Sequence, residues 1–215
     1  MIPRGGIYVI IDLDHLPART GGDVAQLARM AVDGGAVLLQ LRAKGRDTDE
    51  IASVSREILD AVMHSGVPLI VNDDPFAAAE SKAQGLHIGQ EDLLHLPLEQ
   101  ARKIIGADRI LGISSHDEQQ AAAAARAGAD YVAFGPVFSA GTKGVDDAPR
   151  GTEMLSAVCK SVDQPVVAIG GIDLSNVHMV SEAGAHMAAV ITAVSNAPSP
   201  LEAVSELSRR FKAKS

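Results

Sequence analysis

Short apolar runs alternate with longer amphipathic segments along almost the whole chain. The runs are apolar at successive positions, which is typical of strands buried on both faces of a parallel sheet. We predict strands at 7–12, 36–42, 68–73, 85–89, 109–114, 130–135, 165–170 and 186–192. We predict helices at about 23–33, 48–64, 75–82, 97–105, 117–127, 151–162, 174–183 and 200–213.

Glycine recurs directly before the predicted strands, in the phrases DGGAVLL, AQGLHI, RAGADYV and EAGAHMA. Glycine suits the left-handed residue that closes a helix, so each phrase indicates a helix end followed by a strand. Eight strands with eight following helices are the count of a closed barrel. We therefore predict an α/β fold, a (β/α)8 TIM barrel that forms a single domain over 1–215. An open doubly wound sheet is the alternative, but no GxGxxG follows the first strand.

Composition limits the partners of this barrel. Of 215 residues, 47% are hydrophobic and 21% are charged, which is typical of a globular protein. The 19 Lys plus Arg against 27 Asp plus Glu give a net charge of −8. This acidic balance argues against a nucleic-acid partner, although a local cluster of cations can still bind a small anion.

The first residues of the chain and its single cysteine bear on the cellular compartment. Cys159 alone can form neither an internal disulfide nor a zinc site. The apolar run near the N-terminus is too short for a signal-peptide core or a membrane span. We expect a cytoplasmic protein with no membrane partner. The sequence leaves the oligomeric state open, with a homo-oligomer among the alternatives.

The second strand ends in a group of polar side chains. In such a barrel, functional residues lie at the carboxyl ends of the strands. Gln40, Arg42 and Lys44 occupy alternate positions and therefore project to the same face. A solvated strand end is the plain alternative. Two cations inside a barrel mouth favour a phosphate or pyrophosphate ligand instead.

Acidic residues follow the next two strands. Asp73 and Asp92 come from adjacent strand ends, where their carboxylates can bind Mg²⁺ together with phosphate oxygens. Helix capping is the alternative for any Asp in such a position. We assign that structural role to Asp74, which precedes Pro75.

The later strand ends add hydroxyl, cationic and backbone groups. We expect Ser114 to donate a hydrogen bond to an anion and Lys143, in the longest loop, to add a third cation. Such long loops commonly form lids. Paired glycines at 170–171 and the strand end at 191–192 favour a monophosphate held by backbone N–H groups, with a plain tight turn as the alternative.

Two histidines near the strand ends have plain structural alternatives to a role in the site. His87 lies in an apolar strand and is more typical of a core residue. His116 follows Ser114 closely, but no G-x-S-x-G turn is present to support a serine nucleophile. We leave His116 open between a neighbour of a helix cap and a residue of the site.

Six segments, in order along the chain, resemble the thiamine-phosphate synthase family. They are Gln-Leu-Arg-Ala-Lys (40–44), Val-Asn-Asp-Asp (71–74), His-Ile-Gly-Gln-Glu-Asp (87–92), Gly-Ile-Ser-Ser-His (112–116), Gly-Pro-Val-Phe with Thr-Lys (135–143) and Ile-Gly-Gly-Ile (169–172). The resemblance implies a transferase that joins a hydroxymethylpyrimidine diphosphate to a thiazole phosphate. Pyrophosphate and thiamine monophosphate would be the products.

The resemblance also implies roles for individual residues. The pyrimidine diphosphate would be held by Gln40, Arg42, Lys44, Asn72, Ser114 and Lys143, and Leu41 and Ala43 would also be substrate-binding. The thiazole phosphate would be met by Thr142, Gly171, Ile191 and Thr192, and the substrate-binding set would include Ala140 and Gly141 of the same loop as Thr142. Asp73 and Asp92 would bind Mg²⁺ as the cofactor. Arg42, Lys44, Ser114 and Lys143 would act on the departing pyrophosphate.

The loop after the sixth strand departs from the family pattern. The family usually carries Pro-Thr-x-Thr-Lys, whereas this chain has Ser-Ala-Gly-Thr-Lys at 139–143. Ala140 cannot donate the hydroxyl hydrogen bond of the first threonine. The loss of one neutral hydrogen bond costs about 0.5–1.5 kcal/mol, so we expect weaker thiazole-phosphate binding without loss of activity.

Two other functions remain as alternatives. A thiazole tautomerase of the same superfamily would need neither a diphosphate site nor Mg²⁺. A non-catalytic barrel that senses thiamine phosphate would tolerate Ala140. The complete set of cations and carboxylates at the mouth favours the synthase over both.

Overall fold

The eight strands pair in chain order and close into a parallel barrel. The computed structural model describes residues 2–3, 5–16, 21–139 and 148–211, and within them β8 pairs back onto β1. The strands are β1 (Gly6–Asp12), β2 (Ala36–Arg42), β3 (Leu69–Asn72), β4 (Gly85–Ile88), β5 (Ile110–Ser115), β6 (Tyr131–Phe134), β7 (Val166–Ile169) and β8 (Met187–Val190). The predicted TIM barrel is thus confirmed, and the open sheet is wrong.

Helices follow the strands around the outside of the barrel. They are α1 (Val24–Asp33), α2 (Thr48–Val62), α3 (Pro75–Ser81), α4 (Leu98–Ile105), α5 (Glu118–Arg126), α6 (Gly151–Ser161), α7 (Val177–Glu182), α8 (Thr192–Ser195) and α9 (Pro200–Arg210). Short 3-10 helices occupy Leu13–His15 and Asp92–Leu94. In the part of the chain that the structure describes, no helix combines the length and the hydropathy needed to cross a membrane.

The apolar residues form two separate layers. The larger layer lies between the strands and the helices. The smaller layer fills the barrel interior and consists of Tyr8, Ile10, Leu38, Ile70, Ile110, Tyr131, Ala133, Val167, Met187 and Ala189. Both faces of the strands are therefore buried, which explains the continuous apolar runs in the sequence.

Aspartates begin several of the outer helices. The side chains of Asp23, Asp47, Asp74 and Asp117 each accept a hydrogen bond from the backbone N–H three residues later. Asp74 also accepts from the Thr48 hydroxyl at 2.6 Å. The prediction that Asp74 caps α3 is confirmed, and part of the acidic excess serves to start helices.

The end of β8 differs from the prediction. The strand was expected to run to 192, but β8 ends at Val190 and α8 begins at Thr192. Val194 and Ser195 of α8 are buried, so burial continues past the strand. Continuous burial hides the boundary from a hydrophobic pattern, which cannot separate a buried strand from a buried helical turn.

Candidate active site

A cavity of about 200 Å³ opens at the carboxyl ends of the strands. Its lining combines apolar barrel residues with charged and polar side chains. The polar members are Tyr8, Gln40, Arg42, Lys44, Asn72, Asp73, His87, Asp92 and Ser114. A neighbouring groove shares Lys44, Asn72, Asp73 and Asp92 with it. The fold therefore brings together polar residues that are up to 106 positions apart in sequence, from Tyr8 to Ser114.

A larger cavity of about 420 Å³ lies at the opposite end of the barrel. Asp108, Asp130 and Asp163 line it, and Asp130 forms an ion pair with Arg102 at 3.0 Å. In barrels of this type the amino ends of the strands serve stability, and the carboxyl ends serve chemistry. We therefore place the candidate site in the smaller cavity, called the mouth from here on.

Asp12 holds Arg42 in place at the mouth. The carboxyl ends of β1 and β2 are in register, with Asp12 opposite Arg42. One guanidinium nitrogen of Arg42, Nη1, donates to Asp12 Oδ2 at 2.7 Å, and His15 Nδ1 lies 3.3 Å from the same oxygen. The remaining N–H groups of Arg42 stay available to an anion. Sequence reasoning missed Asp12, although its place at the end of the first apolar run was a signal.

Asp73 and Asp92 face each other at the ends of β3 and β4. Burial, together with the negative charge of Asp92, raises the pKa of Asp73 to about 7, and the Lys44 ammonium acts in the opposite direction. Asn72 Nδ2 donates to Asp73 Oδ2 at 2.5 Å. The Asp73 backbone has a φ of 66°, in the left-handed region, which is uncommon for residues other than glycine but is tolerated by Asp better than by most.

This pair of carboxylates fits Mg²⁺. Both carboxylates are half-buried, and partial burial, followed by the negative charge of Asp92, raises the pKa of Asp73. A cation between the two carboxylates would offset both effects. Among the described residues, no cluster of three or more His, Cys, Asp or Glu side chains is arranged to hold a metal. Mg²⁺ commonly binds through only one or two carboxylates and completes its shell with waters and substrate phosphate oxygens.

A chain of hydrogen bonds crosses the barrel below the mouth. Gln40 Nε2 donates to the Tyr8 hydroxyl at 2.7 Å, and the hydroxyls of Tyr8 and Tyr131 are 3.0 Å apart. His87 Nδ1 lies 2.9 Å from the Tyr131 hydroxyl, and its Nε2 lies 2.9 Å from Ser114 Oγ. Apart from Ser114, every member is buried. The sequence suggested a core role for His87, and it lies in the core while also lining the mouth.

Burial keeps the members of this chain uncharged. It lowers the pKa of His87 to about 4, even though the negative charge of Asp92 acts in the other direction. It also raises the pKa of Tyr8 and of Tyr131 well above the ordinary range. The chain thus consists of neutral groups at pH 7. Sequence reasoning missed both tyrosines as site residues, because nothing local marks a side chain that points into a barrel.

His116 has a different environment. Its Nδ1–H donates to the Gly135 carbonyl at 2.7 Å, and its backbone N–H donates to Gln120. The lining of the mouth, as the described residues form it, includes His87 and leaves His116 outside. His116 therefore connects the end of β5 to the end of β6.

The expected monophosphate side lies where β7 and β8 end. Gly171 has a φ of 62°, and a Cβ at this position would lie 2.6 Å from the Ser139 carbonyl oxygen. The first residues of the β6–α6 loop therefore pack directly against the turn after β7. Ile191 lines the mouth, and Thr192 is half-buried at the start of α8.

The other predicted residues lie away from the mouth or outside the described chain. The Leu41 and Ala43 side chains pack in the layer between barrel and helices, so only their backbone could meet a ligand in the mouth. Ala140, Gly141, Thr142 and Lys143 lie outside the described residues.

Comparison with known proteins gives a consistent result. A family model described as thiamine monophosphate synthase matches residues 7–194. The thiamine-phosphate synthase of Anaeromyxobacter dehalogenans is 37% identical over 97% of this chain and 89% of its own length. That of Chlorobium phaeovibrioides is 38% identical over 99% and 97%, respectively. A solved structure, the thiamine phosphate pyrophosphorylase from Pyrococcus furiosus, has a TM-score of 0.85 at 31% identity and covers 97% of this chain and 96% of its own.

Proposed function

The chain belongs to the thiamine monophosphate synthase family, and we propose that it joins a hydroxymethylpyrimidine diphosphate to a thiazole phosphate. The products are thiamine monophosphate and pyrophosphate. One observation carries this proposal: in a chain of this family, two cations and two carboxylates line the same mouth. A tautomerase would need neither set.

The diphosphate binds on the side of the mouth formed by β2 to β5. Arg42, held by Asp12, offers its remaining N–H groups to phosphate oxygens. Lys44 and Asn72 add a cation and an amide donor, and Ser114 adds a hydroxyl. The resemblance assigns Lys143, outside the described residues, to the same diphosphate.

Asp73 and Asp92 hold Mg²⁺ on this side of the mouth. When bound there, Mg²⁺ neutralises charge on the diphosphate oxygens as a Lewis acid. Asn72 donates to the Asp73 carboxylate at 2.5 Å and would orient it as a ligand.

The reaction needs stabilisation of a leaving group more than it needs a base. The bond between the pyrimidine methylene carbon and the diphosphate oxygen breaks, and its electron pair leaves with pyrophosphate. The aminopyrimidine ring spreads the resulting positive charge until the thiazole nitrogen attacks the same carbon. Arg42, Lys44 and Ser114 lower the barrier because they stabilise the charge that develops on the diphosphate. Holding the two substrates side by side provides the orientation.

The thiazole phosphate binds at the ends of β7 and β8. Gly171, Ile191 and Thr192 offer backbone N–H groups there, and the resemblance adds Thr142. Ser139 packs against Gly171, which supports a site shared between the turn after β7 and the β6–α6 loop. Ala140 lacks a hydroxyl, so the dissociation constant for the thiazole phosphate should be about 2- to 10-fold larger than with threonine at this position.

The direct test is an assay of coupling. Purified protein is incubated with both substrates and Mg²⁺, and thiamine phosphate and pyrophosphate are quantified by chromatography and phosphorus NMR. We expect equal amounts of the two products, and none when either substrate is omitted. Isomerisation of a thiazole carboxylate phosphate without coupling would show a tautomerase. Tight binding of thiamine phosphate without turnover would show a sensor.

A pair of variants ties the activity to the mouth. Asp92→Ala should lose most Mg²⁺-dependent turnover, because one of two carboxylate ligands is removed. Asp108→Ala removes an exposed carboxylate at the opposite end of the barrel and serves as the control. Turnover of Asp92→Ala at the wild-type rate would remove Asp92 from the metal site.

A further inference from the structure

The buried hydrogen-bond chain from Gln40 to Ser114 has a direction. The amide nitrogen of Gln40 can only donate, so the Tyr8 oxygen accepts from it and the Tyr8 proton must go elsewhere. Among the residues that the structure describes, the Tyr131 oxygen lies 3.0 Å away and accepts a hydrogen bond from the Tyr8 hydroxyl. The Tyr131 proton then goes to His87 Nδ1 at 2.9 Å. In this order the Tyr8 hydroxyl and the Tyr131 hydroxyl each donate to an acceptor. The order is favoured because buried polar groups are nearly always hydrogen-bonded.

The same direction fixes the tautomer of His87. A neutral imidazole carries one N–H, and Nδ1 already accepts from Tyr131. The proton of His87 therefore resides on Nε2, which lies 2.9 Å from Ser114 Oγ. The Ser114 oxygen accepts this bond, so its own hydroxyl proton remains free to point into the mouth.

The barrel is built around this contact. Tyr131 and Gly112 are partners in the β5–β6 register, and a Cβ at Gly112 would lie 2.0 Å from Tyr131 Cζ. The tyrosine ring thus occupies the space of the missing side chain, two residues before Ser114 on the same strand face. The rings of Tyr131 and His87 stack with centroids 5.6 Å apart and planes at 19°. Both rings are held in place by packing as well as by hydrogen bonds.

We propose that His87 is a positioning residue that donates from Nε2 to Ser114 and thereby turns the Ser114 hydroxyl proton toward the diphosphate in the mouth. The inference rests on the proposed function for the identity of that ligand. Tyr131 acts one step earlier, because its hydroxyl keeps the His87 proton on Nε2. In the reverse order, Ser114 would donate to His87 and would offer the diphosphate only its lone pairs, which repel phosphate oxygens.

The first test observes the tautomer in the wild-type protein. Nitrogen-15 NMR of labelled histidine distinguishes Nε2–H from Nδ1–H, and the spectrum of His87→Gln identifies which signals belong to His87. We expect the Nε2–H form in the wild type and a mixture of both forms in Tyr131→Phe. A wild-type His87 protonated at Nδ1 overturns the proposal. This measurement needs no substrate, so it is independent of the coupling assay.

The second test is a double-mutant cycle on kcat. Ser114→Ala and His87→Phe should each lower kcat about tenfold or more, since each removes the same donor from the diphosphate. If His87 acts through Ser114, the double variant should be no slower than Ser114→Ala alone. His87→Gln keeps an N–H near the position of Nε2 and should recover part of the loss. Effects that multiply in the double variant would show that His87 has a merely structural role, and would overturn the proposal.

A neighbouring serine provides the control for packing. Ser115→Ala removes a buried hydroxyl on the opposite face of β5, where it donates to the Ala133 carbonyl at 3.0 Å. We expect Ser115→Ala to lower the melting temperature and to leave kcat unchanged. If the wild type is active and the effects of the two substitutions on kcat multiply in the double variant, only the role of His87 is disproved. A wild type without coupling activity disproves the proposed function, whereas the NMR result still decides the direction of the chain.

Discussion

Single contacts at the mouth combine stability with function. Asp12 is almost fully buried, and Arg42 is the cation that pairs with it most closely, at 2.7 Å. Arg42 therefore neutralises a buried charge and also faces the expected diphosphate. A substitution of Arg42 therefore affects both fold stability and diphosphate binding. A second substitution, at Asp12, separates the two effects.

Removal of Arg42 should destabilise the fold as well as the ligand complex. In Arg42→Ala the buried Asp12 carboxylate loses its partner, and the free energy of unfolding should fall by about 1–3 kcal/mol. Asp12→Asn in the Arg42→Ala background removes the unpaired charge and should restore most of that loss. Turnover should stay low in both variants. Urea denaturation measures the change in stability, and the coupling assay measures turnover. Equal stability of the wild type and Arg42→Ala would contradict the prediction.

Burial of His87 predicts a specific dependence of stability on pH. Its folded pKa of about 4 lies below the ordinary value near 6.5, so the unfolded chain binds a proton that the native protein excludes. The stability that comes from keeping His87 neutral is fully present above about pH 6.5 and is lost as the pH falls towards 4. Between about pH 7.5 and 5.5, the wild type should lose about 1 kcal/mol more unfolding free energy than His87→Gln. Urea titrations of both proteins at the two pH values measure this difference, and parallel losses would argue against a buried neutral imidazole.

Adjacent loops supply the two carboxylates of the expected metal site. Asp73 follows β3 and Asp92 begins the short 3-10 helix after β4, while β3 and β4 pair in parallel. The register of the sheet thus sets the distance between the carboxylates. Burial and the charge of Asp92 keep a proton on Asp73 up to about pH 7, as its raised pKa indicates.

Mg²⁺ binding should therefore release a proton. Below about pH 7 the metal must displace the proton of Asp73, so its apparent affinity should fall by up to about tenfold per pH unit. Calorimetric titrations in two buffers with different ionisation heats measure the number of protons released. Asp73→Asn should release none, and Asp49→Asn, a change of an exposed acid at the start of α2, should behave as the wild type. An affinity that stays constant between about pH 6 and 8 would be inconsistent with a protonated Asp73.

The two ends of the whole barrel have different tasks. At the amino end, Arg102 donates to the Arg109 and Gly128 carbonyls and pairs with Asp130, which joins α4 to the strands. At the carboxyl end, the cations face the mouth. The net charge of −8 therefore says little about the ligand, because part of the acidic excess caps helices and part braces the amino end.

Arg102→Ala should accordingly lower stability and leave catalysis intact. The loss of bonds to two carbonyls and one carboxylate should reduce the free energy of unfolding by about 1–3 kcal/mol. Lys103→Ala, at the next position of α4, removes only an exposed ion pair with Glu99 and should change stability by less than about 0.5 kcal/mol. Thermal melts and kcat measured on both variants test this division. A large loss of kcat in folded Arg102→Ala would contradict it.

Much of the fold and part of the site could be predicted from the sequence, for physical reasons. Strands buried on both faces appear as continuous apolar runs, and a parallel barrel places their polar ends together, so the common location of Gln40, Arg42 and Asp73 at the mouth could be predicted. Asp12 ends the first apolar run and had the same signal, although it was missed. Tyr8 and Tyr131 could not be predicted, because their contact depends on how strands far apart in sequence face each other across the barrel. The end of β8 was misplaced because burial continues into α8.

The pair of tyrosines also gives this protein an optical property. The chain contains two tyrosines and no tryptophan, and both tyrosines meet inside the barrel. Tyrosine absorption, emission and near-ultraviolet circular dichroism therefore arise from the floor of the mouth alone. Ligand binding, unfolding and rearrangement of the hydrogen-bond chain can be followed at this one place without any attached dye.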